Sequence, residues 1–197
     1  CALPIFEDYP WPSVQDFSPE RFLKKIDDYE DFALDASLWA PIFHIITWLC
    51  GFETTLANLK LQPEVTRHLI KKVADFWVDY ETKLLSCAKG KFDIISNCND
   101  FGGQNGMLIS PEMFREFFKP ALKRIYDRAK EFGVRVMQHC CGSIAPIMGD
   151  FVEIGVDIIN PVQTGAAGME LEKLAEEYGG RVTFYGGIDT QHLLPEG

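Results

Sequence analysis

The 197-residue sequence lacks two features that would mark a membrane or secreted protein. It contains no run of about 18 apolar residues, which is the length that a transmembrane helix needs. Its first residues also lack the order of a secretory signal, in which basic residues precede an apolar stretch and then small residues. Both absences predict a cytoplasmic protein that does not use a membrane as a partner.

Basic charge is scarce as well. The chain has 19 lysines and arginines against 29 aspartates and glutamates, which gives a net charge of −10. A nucleic-acid-binding domain needs a basic face on which the phosphates can lie. The balance therefore excludes nucleic acid as an expected partner, whereas the 47% hydrophobic content is typical of a globular enzyme-like chain.

Cysteine is present but does not form the dense framework of a small disulfide-stapled domain. The six cysteines are spread over a large chain, a pattern that favours reduced thiols in a cytosolic protein. They are Cys1, Cys50, Cys87, Cys98, Cys140 and Cys141.

Short apolar runs alternate with longer amphipathic segments along most of the chain. We predict strands at 92–97, from Val134 to His139, at 156–160 and at 182–187, with a possible fifth strand within 30–39. The helices predicted between and before them lie at 18–29, 42–50, 53–59, 63–88, 111–132 with a kink or break at Pro120, 144–154 with Ser143 as its cap, and 169–178. Alternation of this kind predicts a parallel sheet covered by helices.

Two α/β architectures fit that pattern: a doubly wound open sheet and part of a (β/α)₈ barrel. The nucleotide-binding pattern G-x-G-x-x-G of the first is absent. A closed barrel takes about 250 residues, more than this chain has. We therefore predict a TIM-barrel type fold present as an incomplete barrel of four to five βα units. Residues 1–197 would form one partial domain, with an entry segment at 1–30 and the βα units at 31–197.

The strand that starts at Val134 ends in the sequence His139-Cys140-Cys141-Gly142. Because side chains alternate along a strand, His139 and Cys141 are expected on one face and Cys140 on the other. An imidazole and a thiol on one face can supply two corners of a tetrahedral zinc site. The alternative is a buried pair of thiols beside a hydrogen-bonded histidine.

Polar residues follow each of the other predicted strands, where a barrel collects its functional groups. Asp100 is the candidate catalytic residue, either as a proton acceptor or, alternatively, as the first residue of an Asx turn. Gln104 and Asn160 could contact substrate or support their loops. Asp189 could be a carboxylate that orients a ligand or the N-cap of a helix, and the cap is favoured. His44 is interpreted as a packing or surface residue. The candidate substrate-binding residues are Asn99, Gln104, Asn160, Gln163 and Asp189.

Taken together, these strand ends resemble the uroporphyrinogen decarboxylase superfamily. The stretches that carry the resemblance are Asn99 to Gln104 with Ser110 to Glu112, His139 to Ser143, Gly155 to Gln163, and Tyr185 to Gln191. The resemblance covers most of the chain and implies a (β/α)₈ barrel whose site lies at the carboxyl ends of the strands.

Within that superfamily the chain resembles the corrinoid-linked methyltransferases, which carry H-x-C-G at a strand end as zinc ligands. The resemblance implies that His139 and Cys141 bind zinc, with a third ligand, a cysteine, expected beyond Gly197. The first barrel strands are expected before Cys1, so the chain resembles an internal piece of a longer protein that is inactive by itself. The implied cofactors are zinc and a corrinoid such as methylcobalamin, which would donate or accept a methyl group.

The implied partner is a corrinoid protein or a small-molecule thiol, and two other functions stay open. Metal-independent uroporphyrinogen decarboxylation needs several cationic side chains aimed at the acid groups of the tetrapyrrole, yet no arginine stands at the end of a predicted strand. The other function that stays open is that of a non-catalytic module that binds a corrinoid protein or zinc. The unpaired edge of an incomplete barrel also favours a homo-oligomer.

Overall fold

A parallel sheet of four strands forms the centre of the computed structural model, which describes residues 8–29 and 31–196. The strands are β1 (Ile94–Cys98), β2 (Arg135–His139), β3 (Ile158–Asn160) and β4 (Thr183–Phe184). Each strand pairs in parallel with the next one along the chain, in the order β1-β2-β3-β4. Consecutive parallel neighbours of this kind are the arrangement of a (β/α)₈ barrel wall. The predicted incomplete barrel is confirmed.

The register of the sheet aligns the ends of three strands. Cys98 of β1 lies opposite His139 of β2, which in turn lies opposite Asn160 of β3. Residues paired across a parallel sheet point to the same face. The three side chains therefore form a row at the carboxyl edge of the sheet.

A fifth strand, predicted within 30–39, is reduced to two isolated bridges. Asp35 pairs in parallel with Ile94, and Trp39 pairs with Asn97. Between and at these points the backbone leaves the extended region, since φ is +44° at Ser37 and +62° at Trp39. The bridges nevertheless fix Trp39 beside the end of β1, because its N–H donates to Ser96 O at 2.8 Å. Glu30, at the start of that prediction, lies outside the described residues.

Helices cover the sheet and agree with most of the predicted segments. The α-helices are α1 (Glu20–Leu23), α2 (Ile42–Cys50), α3 (Phe52–Leu61), α4 (Pro63–Ala88), α5 (Pro111–Met113), α6 (Lys119–Glu131), α7 (Met148–Glu153), α8 (Leu171–Tyr178) and α9 (Leu193–Glu196). Short 3₁₀ turns lie at Val14–Asp16, Asp27–Tyr29 and Ala145–Ile147, and a π-helical turn lies at Phe114–Phe118. Helices α4 and α6 pack on each other, and α6 packs on β2.

The core lies between the sheet and this helical layer. Ile95, Val136 and Ile159 of the first three strands are fully buried. Aromatic side chains belong to the same core, with the Phe114 ring of the π-helical turn 5.0 Å from the Phe101 ring of the loop after β1. No helix in the described ranges is both long and apolar enough to cross a membrane.

The predicted break at Pro120 takes the form of a π-helical turn. The segment starts where expected, because Ser110 Oγ accepts a hydrogen bond from the Met113 N–H at 3.2 Å. The π-helical residues Phe114–Phe118 then precede Pro120. Proline has no N–H for the carbonyl of Glu116 and its ring crowds that carbonyl, so the turn before it widens.

Two predicted helices are wrong in detail. The segment predicted at 18–29 is divided between α1 and a 3₁₀ turn. Ser143 does not cap the segment after it, since its hydroxyl donates to Ala167 O at 2.6 Å. That segment instead begins with a 3₁₀ turn after Ile144, and no side chain caps it.

A carboxyl group lies buried on helix α4. Glu81 of α4 is 1% exposed, and neither carboxylate oxygen finds a hydrogen-bond partner in the described part of the chain. Burial raises the pKa of Glu81 to about 8, although the charge of Arg128 acts in the opposite direction. Ionised Glu81 is therefore unfavourable in the folded state.

We expect Glu81→Gln to remove a pH dependence of stability. In the unfolded chain a glutamate ionises near pH 4.5, so unfolding releases the extra proton between that value and about pH 8. The free energy of unfolding of the wild type should fall as pH rises through this window, by roughly 2–4 kcal/mol relative to the variant. Denaturant unfolding at pH 5 and pH 8 measures the difference. Glu176→Gln, on the exposed side of α8, is the matched control, and equal slopes for wild type and Glu81→Gln would contradict the expectation.

Candidate functional site

The carboxyl edge of the sheet gathers five polar side chains from three strands. Cys98, His139 and Asn160 form the row set by the strand register. Alternation carries Asp100 and Cys141, each two residues further on, to the same side. Ligand atoms of Cys98, Asp100 and His139 all lie within 4.8 Å of one another. The sheet thus brings together two of the predicted metal and catalytic positions with a cysteine that the sequence interpretation had not selected.

His139 is held in one orientation by Asn160. The Asn160 amide donates to Tyr185 O at 3.1 Å, which turns its oxygen toward the imidazole. That oxygen lies 2.7 Å from Nδ1 of His139. Because an amide oxygen only accepts, Nδ1 carries the proton and Nε2 keeps its lone pair. A histidine oriented in this way presents Nε2 as a ligand.

The Nε2 atom faces the second predicted ligand. It lies 3.3 Å from Cys141 Sγ and 3.9 Å from Asp100 Oδ1. Burial, and then the charge of Asp100, raise the pKa of Cys141 to about 11. The thiol is therefore neutral at pH 7 unless a cation takes the place of its proton.

Cys140 has a different environment, as strand alternation predicts. It is fully buried, and its Sγ accepts a hydrogen bond from the Phe101 N–H at 3.2 Å. Burial raises its pKa well above the ordinary value for a thiol. Cys140 is thus a core residue that fixes the neighbouring loop, whereas Cys141 faces the opening.

Asp100 connects this strand end to helix α2. Its Oδ1 accepts from the Cys141 N–H at 2.8 Å, and its Oδ2 lies 3.3 Å from His44 Nε2. Burial acts to raise the pKa of Asp100, but the hydrogen bonds from His44 and from the Cys141 backbone outweigh it and lower the pKa. Asp100 is therefore an ionised carboxylate at neutral pH.

Sequence reasoning missed His44, which was interpreted as a packing or surface residue. The structure places its side chain, one quarter exposed, at the mouth of the site. Two exposed tryptophans flank the pair of histidines: the Trp39 ring lies 5.6 Å from His139 and the Trp48 ring 5.9 Å from His44. No spacing within the sequence links these residues to the strand end, because the docking of α2 brings His44 and Trp48 there and the bridge to β1 brings Trp39.

Gln163 supports the loop that carries Cys141. Its Oε1 accepts a hydrogen bond from the Gly142 N–H. On the other side the same loop touches the backbone after β1, where a Cβ at Gly102 would lie 2.6 Å from Cys141 O. Gly142 itself has a φ of +78°, and a Cβ there would lie 2.6 Å from the Gly102 carbonyl carbon. Glycine is needed at both positions because the two backbones are in direct contact.

Asn99 lies away from this opening. It is fully buried, its Oδ1 accepts from the Phe43 N–H at 2.9 Å and its Nδ2 donates to Ala40 O at 3.4 Å. Strand alternation explains the difference, since Asn99 points to the face opposite Asp100. In this structure it ties the start of α2 to the sheet, and the substrate contact predicted for Asn99 stays a prediction.

Gln104 and Asp189 belong to a separate cluster of loops. The Gln104 amide donates to Gly165 O at 2.6 Å and accepts from Gln191 Nε2 at 2.8 Å. Asp189 Oδ1 accepts from the backbone N–H of Gln191 at 2.8 Å and of His192 at 3.1 Å. These contacts are the loop-support and capping alternatives that the sequence left open. The substrate contacts predicted for both residues stay predictions.

The donor set at the strand ends fits zinc. Zinc binds imidazole nitrogen and thiolate sulfur, usually with four donors in a tetrahedron. Zn–N and Zn–S bonds of that kind separate neighbouring donors by about 3.6 Å. The 3.3 Å between Nε2 of His139 and Sγ of Cys141 is close to that separation. His139, Cys141 and their neighbours Cys98 and Asp100 are the residues that would hold the ion.

Comparison with known proteins gives the fold and the site a family. Residues 24–197 match the family model described as Uroporphyrinogen decarboxylase (URO-D). The chain belongs to the uroporphyrinogen decarboxylase family. Members of this family are enzymes, methyltransferases or decarboxylases, so the predicted enzymatic class is supported at that level. No curated protein matches the chain significantly.

A solved structure shares the fold of this chain. The structure described as "methyltransferase from Methanosarcina mazei" superposes with a TM-score of 0.65 at 17% sequence identity. The match covers 88% of this chain and 49% of that chain, so the present chain spans about half the length of the solved protein. At 17% identity, this likeness shows that the two proteins share a fold.

Proposed function

We propose that this member of the URO-D family is part of a zinc-dependent methyltransferase that moves a methyl group between a corrinoid and a thiol. The observation that carries the proposal is the convergence of His139 Nε2 and Cys141 Sγ to 3.3 Å at the carboxyl edge of the sheet. The methyltransferase description of a protein with the same fold supports it further. A corrinoid protein or free methylcobalamin, and a small thiol, would be the reaction partners.

Zinc held at this edge would supply positive charge that lowers the pKa of an incoming thiol and makes it a nucleophile at neutral pH. Side chains of this chain hold the two candidate ligands in position. Asn160 keeps the Nε2 lone pair of His139 aimed at Cys141. Gln163 and Asp100 hold the backbone of the Cys141 loop from two sides.

The methyl transfer itself is an in-line displacement. With a methylated corrinoid as the donor, a lone pair of the thiolate sulfur would form the S–C bond, and the electron pair of the broken C–Co bond would stay with the leaving corrinoid. The proton of the thiol must leave toward solvent, and the pair of Asp100 and His44 lies on that side with side chains 31% and 25% exposed. Trp39 and Trp48 provide apolar walls that position a large flat donor.

Decarboxylation of a tetrapyrrole is the alternative within the same family. Its many carboxylates call for arginines directed into the site. Four of the described arginine side chains instead form ion pairs on the helical layer, as Arg115 does with Asp150 at 3.0 Å and Arg124 with Asp75 at 2.7 Å. Arg135 is the first residue of β2 and lies at its amino end, whereas His139 lies at its carboxyl end. No observation on the described residues favours this alternative.

Methyl transfer from methylcobalamin to a small thiol tests the proposal. We expect the full-length protein that contains this chain to convert methylcobalamin to the demethylated form, seen in the cobalamin absorbance, when one equivalent of zinc is present. Removal of zinc by a chelator should stop the reaction and zinc should restore it. A zinc-loaded protein that binds the corrinoid without turnover would instead be a binding module, and metal-independent porphyrin formation would establish the decarboxylase.

A further inference from the structure

We propose that Cys98 is a metal ligand, so that this chain itself supplies three donors: Cys98, His139 and Cys141. The inference rests on the proposed zinc site and changes its composition. The resemblance implies a third ligand, a cysteine, beyond Gly197. The structure provides a thiol at the strand neighbouring His139, within the described residues.

The position of Cys98 follows from the sheet. It is the last residue of β1 and lies directly opposite His139 in the parallel register. Its sulfur lies within 4.8 Å of a ligand atom of His139 and of Asp100. His139 Nε2 lies in turn 3.3 Å from Cys141 Sγ. Both residues are anchored by main-chain hydrogen bonds at the strand end, since the Cys98 N–H donates to Trp39 O at 2.9 Å and the Asn99 N–H to His139 O at 3.0 Å. The two donors are therefore held close by backbone and not by flexible side chains alone.

Asp100 is a weaker choice for the third donor. Its Oδ1 already accepts from the Cys141 N–H, and its Oδ2 lies 3.3 Å from His44 Nε2. These two contacts hold the Cys141 loop and α2 in place. Zinc also favours thiolate over carboxylate in sites that contain cysteine. Two thiolates and a neutral imidazole would balance the charge of a divalent ion. The Asp100 charge then stays paired with His44, and Asp100 acts as a positioning residue.

The burial of Cys98 also suits a role as a metal ligand. It is 4% exposed, whereas the His139 and Asp100 side chains are 25% and 31% exposed. An ion bound among Cys98, His139 and Cys141 would thus be closed on the side of the sheet and open toward the mouth. Three protein donors with one open position are the arrangement of a catalytic zinc site.

Cobalt(II) titration of the 197-residue chain tests the proposal, because sulfur-to-cobalt charge-transfer absorbance grows with the number of bound thiolates. We expect the wild-type chain to bind one ion. Cys98→Ser and Cys141→Ser should each reduce the absorbance per bound ion by about half and weaken binding by about 100-fold or more. Asp100→Asn should keep the full absorbance per ion. Cys87→Ser, at a half-buried helical cysteine, is the control and should equal the wild type.

X-ray absorption of the zinc-loaded wild-type chain gives a count that depends on no variant. Two sulfur neighbours at about 2.3 Å support the proposal, and one sulfur neighbour overturns it. Absorbance unchanged in Cys98→Ser and lost in Cys141→Ser would also overturn it, while leaving the proposed function intact. A full-length protein that binds no metal yet transfers methyl groups would end the zinc proposal and this inference together.

Discussion

Replacement of His139 by alanine is expected to abolish zinc binding and to reduce methyl transfer by about 1,000-fold or more in the full-length protein. The imidazole is the nitrogen donor of the proposed site, with Nε2 directed at Cys141 Sγ at 3.3 Å. Loss of several kcal/mol of electrostatic activation corresponds to a rate effect of at least that size. Elemental analysis of the purified variant and the methylcobalamin assay measure the two effects.

Two further variants make this result specific. Asn160→Ala keeps every donor but removes the acceptor 2.7 Å from Nδ1 of His139, so we expect a graded loss of about 10- to 100-fold in zinc affinity. His192→Ala removes an exposed histidine and should leave metal content unchanged. Retention of both zinc and activity in His139→Ala would show that the site is wrongly placed.

Gly142→Ala is the second substitution with a large expected effect, here on stability as well as on the site. A Cβ at this position would lie 2.6 Å from the Gly102 carbonyl carbon and 2.8 Å from Gly103 O, and both neighbours are backbone atoms. The φ of +78° adds the strain of a left-handed residue. We expect the free energy of unfolding to fall by roughly 3–5 kcal/mol. Because Cys141 moves with the loop, metal affinity should fall although all donors are present.

Gly133→Ala separates the two causes. Its φ is +75°, almost equal to that of Gly142, but a Cβ there would meet no atom within 4 Å. Backbone strain without a clash should lower the free energy of unfolding by about 1–2 kcal/mol and leave the metal site unaffected. Denaturant unfolding and zinc titration of the two variants provide the comparison. Equal decreases in the free energy of unfolding for both variants would show that the clash at Gly142 adds nothing to the backbone strain.

Gly142→Ala is expected to change both stability and the site because of the contact between the loops after β1 and β2. Ser143 N–H donates to Gly103 O at 2.8 Å, and Phe101 N–H donates to Cys140 Sγ at 3.2 Å. These bonds join the loop that carries Asp100 to the loop that carries Cys141. A change on either loop is therefore expected to alter the donor positions on the other.

Local sequence patterns were sufficient for the architecture and for one pair of candidate ligands. Apolar runs at period two and amphipathic segments gave four strands and their helices, because burial selects those patterns residue by residue. The spacing of His139 and Cys141 placed both on one face, since a strand alternates with period two whatever its neighbours are. Where a tertiary contact competed with a local one, the prediction was wrong, as at Ser143, whose hydroxyl donates to the distant Ala167 O and caps no helix.

Only the tertiary structure decided which other residues join that pair. Cys98 reaches His139 through the register of β1 on β2, and His44 reaches Asp100 through the docking of α2. Register and docking are set by the packing of residues far apart in sequence, so no spacing along the chain encodes them. The same packing turned Asn99 inward and bound Gln104 and Asp189 into loop contacts. The sequence by itself thus determined the strand, its motif and its faces, and the assembled sheet decided which donors from other strands complete the site.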